Sequence, residues 1–225
     1  MGIYSVAVDG PAGSGKSTVA KLIAKELGIV YIDTGAMYRA VALYCINNGI
    51  DTKNEEAVSG ILDSIDMDIK AENGGQRIYL SGIDVTDDVR SQKAGAGASD
   101  VAVIGSVRQK LVNIQRSLAK GMSVIMDGRD IGTNVLTDAD VKIYLSASAD
   151  ERAKRRCGEL KKLGLEYDFE LVKSQIIQRD KNDSERALNP LRKAEDAIEV
   201  DTTSMNIDEV KDTIIKIIKE KAGIG

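Results

Sequence analysis

Five short stretches of the chain are apolar at nearly every position. They are IYSVAVD (3–9), IVYI (29–32), SVIMD (123–127), VKIYL (141–145) and AIEVD (197–201). A strand with no polar face is covered on both sides, as strands of parallel sheets are. The segments between them change to helical spacing. Val19, Leu22, Ile23 and Leu27 share one face and stop at Gly28, and a second helix over 35–48 stops at Gly49. Thr52 with Glu55 reads as a capping box for a helix over 54–64. Val107, Leu111, Ile114 and Leu118 mark another helix. Ser148 with Glu151 opens one over 149–162, Asp168 one near 169–181, and Asn206 with Glu209 the last.

One region breaks this rhythm. MDIKAE (67–72), NGGQ and RIYLS (77–81) read as a hairpin of half-polar strands, followed by a small-residue stretch whose second part is helical. The pattern predicts an α/β fold, a doubly wound five-stranded parallel sheet with helices on both faces, carrying a small antiparallel-sheet insertion near 65–100. The 225 residues suffice for one such domain.

Composition narrows the chemistry. A formal charge of −4 argues against a general nucleic-acid binder. No apolar run approaches the roughly 20 residues of a membrane span, and the N-terminus lacks a secretory signal, so a cytoplasmic protein is expected. Cys45 and Cys157 lie far apart and form no metal motif. With no histidine in the chain, histidine triads and histidine metal sites are excluded.

The sharpest motif is GPAGSGKST: Gly10, Pro11, Ala12, Gly13, Ser14, Gly15, Lys16, Ser17 and Thr18. It fits the P-loop pattern and sits between a strand and a helix, as that pattern requires. The glycines let backbone N–H groups face one anion, and the helix dipole favours it. Lys16 is expected to face an open site and reach the β- and γ-phosphates, with the Ser17 hydroxyl on Mg²⁺. A P-loop leaves GTPase, motor and small-molecule kinase open. The nearest stretch to a guanine-reading N-K-x-D is DKND (180–183), which has Asp in place of Asn. SVIMD ends in Asp127, but the turn-like DGRDIGT follows in place of motor coupling motifs. A kinase needs a second anion site, and DTGAMYR (33–39) and DGRD (127–130) both start where a strand ends. In DTGAMYR, Gly35 permits close approach and Arg39 offers a planar fork for phosphate.

Together GPAGSGKST, DTGAMYR, DGRDIGT, VKIYLSASADERAKRR and RDKNDSERALNPL resemble, in order and from residue 3 to about 203, the bacterial cytidylate kinases. These are P-loop nucleoside monophosphate kinases. The resemblance implies transfer of the ATP γ-phosphoryl to CMP or dCMP with Mg²⁺. It implies a core of about 1–64, 101–150 and 165–225, an acceptor-binding insertion of about 65–100, and a lid of about 151–164. By position, residues 10–18 hold ATP, while Arg39 and Arg129 hold the acceptor phosphate. Ser99, Arg108 and Asp130 read cytosine, and Arg179, Asp183 and Arg186 lie near the acceptor's sugar and phosphates. Arg152, Arg155 and Arg156 belong to the lid. Thr34 and Tyr38 line the acceptor site, and Asp127 reaches Mg²⁺ through water. Thr34 and Met37 stand where relatives can carry Ser and Ile.

Blander readings compete. The three lid arginines could form a solvated helix face, Asp127 and Asp130 could cap a turn, and Tyr38 could be core. Asp183 sits among many charges. A P-loop kinase for UMP, AMP or a hydroxylated metabolite is the nearest alternative function, and a non-catalytic nucleotide sensor is one of another class. A monomer is expected, with ATP and CMP or dCMP as its small-molecule partners.

Overall fold

The computed structural model describes residues 2–72 and 75–224. Among these residues, five strands form one parallel sheet in the order β2-β6-β1-β7-β8. They are β1 (Ser5–Asp9), β2 (Val30–Asp33), β6 (Val124–Gly128), β7 (Val141–Ser146) and β8 (Ile198–Asp201). All five apolar runs read from the sequence are these strands. Every residue of β6 is buried, which is why its sequence shows no alternation. Asp9 pairs with Gly128, and Asp33 with Asp127. The carboxyl ends of β2, β6 and β1 are therefore neighbours on one sheet edge.

Helices cover both faces. One cluster joins Val6, Val8, Ile125, Ile143 and Leu145 of the sheet to Ile23 of α1 (Lys16–Leu27) and Ile214 and Ile218 of α8 (Ile207–Ala222). Another joins Ala7, Ile32 and Met126 to Val112 of α5 (Gly105–Leu118). Each fully buried Ile, Leu or Val contributes about 1.5–3 kcal/mol relative to exposure. Asn206 and Glu209 form the expected reciprocal capping box of α8.

The small sheet is antiparallel, β3 (Met67–Glu72), β4 (Gly75–Leu80) and β5 (Ile83–Asp84), with β4 central. The turn expected at NGGQ falls at Asn73 and Gly74, outside the described residues. The apolar face of this sheet does not form a separate core. Ile78, Leu80, Val85 and Val89 pack with Met37, Val41 and Cys45 of α2 (Thr34–Asn47) and with Leu111 of α5. A hairpin whose third strand is only two residues long buries little apolar surface by itself, and packing on a helix supplies the rest.

Three local expectations change. The short α3 (Glu55–Gly60) is capped by Asn54, which accepts from Ala57 N, and a separate 3₁₀ turn follows at Leu62–Ser64. Thr52 instead donates to Asp100 of α4 (Gln92–Val101) at 2.7 Å, because helix packing brings that carboxylate within reach. At α6 (Ala149–Lys162), Ser148 accepts from Glu151 N, but the Glu151 side chain turns to Arg155, so only half of that box forms. The next helix, α7 (Phe169–Glu185), runs four residues past its expected end and so carries Asp183. Ala153 and Cys157 of α6 share a small cluster with Val172 and Ile176 of α7. No described helix is long and apolar enough to cross a membrane.

Candidate active site

The P-loop follows β1 and is shaped by contacts that allow no side chain. A Cβ on Gly10 would stand 2.0 Å from the Leu145 carbonyl oxygen of β7, and Gly10, Gly13 and Gly15 all have positive φ. α1 has no side-chain cap and no acid in its first turn. By contrast, Asp33 caps α2, Asp168 caps α7, and Asn206 caps α8. The first N–H groups of α1 are thus left for an anion.

Lys16 is only 5% exposed, contrary to the open position expected. Its ammonium donates to the Pro11 carbonyl at 2.6 Å and to Ser14 Oγ at 3.3 Å, folded back across the loop. Burial lowers its pKa, and Arg129 pushes the same way. Asp127 and Asp9 offset part of that, and an added phosphate would supply more counter-charge.

Ser17 Oγ donates to Asp127 Oδ2 at 2.6 Å, and Tyr31 donates its hydroxyl to Asp127 Oδ1 at 2.8 Å. Burial raises the Asp127 carboxyl to about 6, and the neighbouring Asp33 adds to that shift. Burial first, and then Asp127, drives the Tyr31 phenol far up, so it remains a donor. Ser17 and Asp127 are hard oxygen donors at the loop mouth, a pair suited to Mg²⁺. Among the described residues no three carboxylates converge on a metal cage, so the remaining ligands of such an ion would come from nucleotide phosphates and water.

β2 ends in DTGAMYR. Asp33 Oδ1 accepts from Ala36 N at 2.8 Å, capping α2, and Oδ2 accepts from Arg39 at 3.0 Å. A Cβ on Gly35 would lie 3.2 Å from an Arg39 nitrogen and 3.3 Å from Asp33 Oδ1, so the glycine leaves room for this pair. Arg39 Nε is buried and unpartnered, free for one further acceptor. Thr34 is buried and donates to the Asp127 carbonyl at 2.8 Å, tying this turn to the end of β6. Tyr38 packs on the α2 cluster and also lies under the Arg108 guanidinium, 5.8 Å from ring centre to carbon.

β6 ends in DGRD. A Cβ on Gly128 would meet Ile131 at 2.6 Å and Thr34 Oγ at 2.7 Å. Arg129 donates to Asp183 at 2.8 Å. Burial pushes the Asp183 carboxyl up, but Arg129 and Arg179 outweigh it and its pKa falls. Asp130 is buried and held by Arg108, by Arg186 at 3.0 Å and by Asn134 at 3.0 Å. Arg179 has an exposed surface but stands against Arg129, and its surroundings lower it only to about 10, so it stays charged at neutral pH. Ser99 lies half-buried on α4.

β7 leads into α6 and the remaining arginines. Arg152 is buried, donates to the Ala12 and Ala147 carbonyls at 3.1 and 2.9 Å, and pairs with Asp180 at 2.6 Å. Arg155 reaches the Thr202 carbonyl at 2.7 Å and its hydroxyl at 3.1 Å, while Arg156 is exposed and pairs with Glu159. Two of the three arginines thus lie against the protein, which a solvated face does not explain.

Sequence reasoning missed several residues here. Asp9 accepts from Ile131 N and Gly132 N, both at 2.8 Å, and joins the start of the P-loop to the turn after DGRD. Burial raises it to about 6. An acid ending an apolar strand was its only signal. Tyr31, Asp180 and Thr202 left none, since their roles depend on partners 28 to 188 positions away.

The whole arrangement follows one sheet edge. DTGAMYR ends β2, DGRD ends β6, the P-loop ends β1, and α6 follows β7, in neighbouring positions. The cytidylate kinase family model matches residues 6–220. A cytidylate kinase from Caldicellulosiruptor saccharolyticus is 50% identical over 219 residues, 97% of either chain. One from Oceanobacillus iheyensis is 51% identical over 214 residues, 95% of this chain and 93% of its own. Among solved structures, an uncharacterized protein from Eubacterium ventriosum is similar at a TM-score of 0.52 and 15% identity, covering 96% of this chain and 98% of that one. That likeness concerns the fold alone.

Proposed function

The chain belongs to the cytidylate kinase family, and from that premise we propose how its residues move the γ-phosphoryl group of ATP to CMP or dCMP. The products are CDP or dCDP and ADP. The observation that carries this reading is the order of strand ends. An anion-binding loop after β1 stands beside two arginine-bearing turns after β6 and β2, at the edge where open α/β sheets bind ligands.

ATP phosphates take the free N–H groups of α1, and Lys16 leaves the Pro11 carbonyl for the β- and γ-oxygens. Ser17 would hold Mg²⁺, and Asp127 would support it through water. That ion would neutralise charge on the β- and γ-phosphates. Arg39, with its unpartnered Nε, and Arg129 take the acceptor phosphate, with Arg179 beside them. Asp130 accepts from the cytosine amino group, Arg108 and Ser99 face its ring edge, and Asp183 and Arg186 adjoin the sugar. Catalysis is by positioning and by positive charge held around the transferring group, so no histidine base is needed.

The closing element in this reading is the α6–α7 pair, because both helices share one hydrophobic cluster. Arg152, Arg155 and Arg156 travel with it, and closure excludes water from the phosphoryl group. The protein acts as a cytoplasmic monomer. Initial rates with ATP, Mg²⁺ and a panel of CMP, dCMP, UMP and AMP test the reading. CMP and dCMP should exceed UMP by about a hundredfold in kcat/KM. Binding of CMP and ATP without turnover would mean a sensor, and an equal rate with UMP would remove the cytosine assignment.

A further inference from the structure

β2 is an edge strand, and its last residue, Asp33, has both backbone groups taken by one side chain. Gln76 Oε1 accepts from Asp33 N at 2.8 Å, and Gln76 Nε2 donates to Asp33 O at 3.2 Å. The carboxamide imitates one step of a β-ladder, and it comes from the central strand of the small sheet.

The seam around this contact is hollow. A cavity of about 170 Å³ lies on one side, lined by Lys21, Tyr31, Arg39 and Arg90 among others. A second, of about 230 Å³, is lined mainly by apolar groups such as Val30, Ile32, Leu118 and Met122. Gln76 borders both. Ile78 and Leu80 hold the small sheet on α2, and at the seam itself, between the two hollows, two directional hydrogen bonds set its register against the edge of the large sheet.

The Asp33 side chain then carries that register onward. It caps α2 through Ala36 N and holds Arg39 through Oδ2. Arg39 Nε, buried and unpartnered, is left to receive an anion. We propose that Gln76 is a positioning residue for the acceptor: it fixes the small sheet on Asp33 and so pre-sets Arg39 before the acceptor phosphate arrives. The proposal rests on the reading of Arg39 as a ligand of that phosphate. Without the latch, fewer molecules hold Arg39 in the competent position, which weakens acceptor binding. Once the acceptor is bound, its own phosphate aligns Arg39, and turnover is spared.

The test compares wild type, Q76L, Q76E and R39M, each first checked for a native circular dichroism spectrum. In Q76L the KM for CMP should rise about tenfold, the scale of one or two lost, partly buried hydrogen bonds, with kcat and the KM for ATP within about twofold of wild type. Q76E can still accept from Asp33 N, but at pH 8 its carboxylate opposes the Asp33 carbonyl, so kcat/KM for CMP should fall below that of Q76L. As pH falls toward the ordinary glutamate range, about 4.3, the protonated acid regains a donor, so the Q76E-to-wild-type ratio should rise between pH 8 and pH 4. The charged and titratable groups facing this position are Asp33 and Tyr31 from β2, Lys21 from α1, Arg39 from α2 and Arg90 after β5. All are shared with wild type, so the ratio to wild type isolates the introduced acid. A KM for ATP rising in step with that for CMP, or a Q76E ratio flat with pH, overturns the proposal. A silent Q76L beside a defective R39M overturns the latch and leaves Arg39's role standing. A silent R39M overturns both.

Discussion

In the proposed function, the nucleotide side and the acceptor side of this site are built on opposite plans. On the nucleotide side the anion is met by backbone. One continuous loop of nine residues curls at three positive-φ glycines, and α1 starts with no cap of its own. The loop's one cation, Lys16, is parked on the Pro11 carbonyl. On the acceptor side the anion is met by side chains from α2, the turn after β6 and α7, and arginines stand beside aspartates: Arg39 with Asp33, Arg129 with Asp183, and Arg108 and Arg186 with Asp130. A backbone site keeps its shape without a ligand because covalent geometry holds it. A site of buried guanidinium groups needs internal carboxylates, since an unpaired buried charge costs several kcal/mol. Binding on the acceptor side is therefore an exchange or sharing of partners, and on the nucleotide side a filling of free donors.

The contrast is breakable by experiment. The largest effect is expected at the single cation of the loop. Lys16→Met should lower kcat by about a thousandfold, because a charge on the transferring group disappears. Its melting temperature should hold or rise, since the buried ammonium has no carboxylate partner in the loop. A coupled assay beside circular dichroism checks this, and a folded mutant with near-normal turnover would remove the role.

On the acceptor side, Arg39→Met should raise the KM for CMP about a hundredfold while leaving the KM for ATP within about threefold, as loss of one charge-assisted pair predicts. Equal movement of both constants would erase the division between the two sides.

Asp130→Asn should act more mildly, since the amide keeps one acceptor. An amide can also donate to the uracil O4, so the CMP-to-UMP ratio of kcat/KM should narrow about tenfold, with AMP use changed much less. Arg108 and Arg186 would also lose their common counter-charge, and the melting temperature should drop by a few degrees. An unchanged ratio with a lowered melting temperature would leave Asp130 as structure only.

The smallest effect is one of motion. Amide exchange over residues 149–185 should slow about tenfold when ADP and CMP are added together, and α6 and α7 should slow as one unit because they share a cluster. Protection confined to 151–164 would separate the helices.

Much of this was legible in the chain. The five parallel strands could be read because a strand buried on both faces writes its burial as an unbroken apolar run. The P-loop could be read because its glycines are required by neighbouring atoms of fixed position, Leu145 O for Gly10 being the clearest. DTGAMYR and DGRD stood out as turn chemistry at strand ends. The Thr52 capping box failed for the opposite reason. A hydroxyl satisfied by a local backbone N–H and one satisfied by Asp100, 48 residues on, look alike in sequence. The half-polar strands of the small sheet gave their hairpin but not the packing of that sheet on α2.

By itself, then, the sequence determined the sheet, the helices that flank it and the phosphate loop, since each depends on contacts within a few residues or on burial averaged over a run. The tertiary structure alone decided which arginine meets which aspartate, that Lys16 lies buried, that Asp9 pins the turn after β6, and that Gln76 holds the edge of β2. Those contacts join positions 5 to 123 residues apart, and a hydrogen bond depends on where chain folding brings its two ends, about which local spacing carries no information.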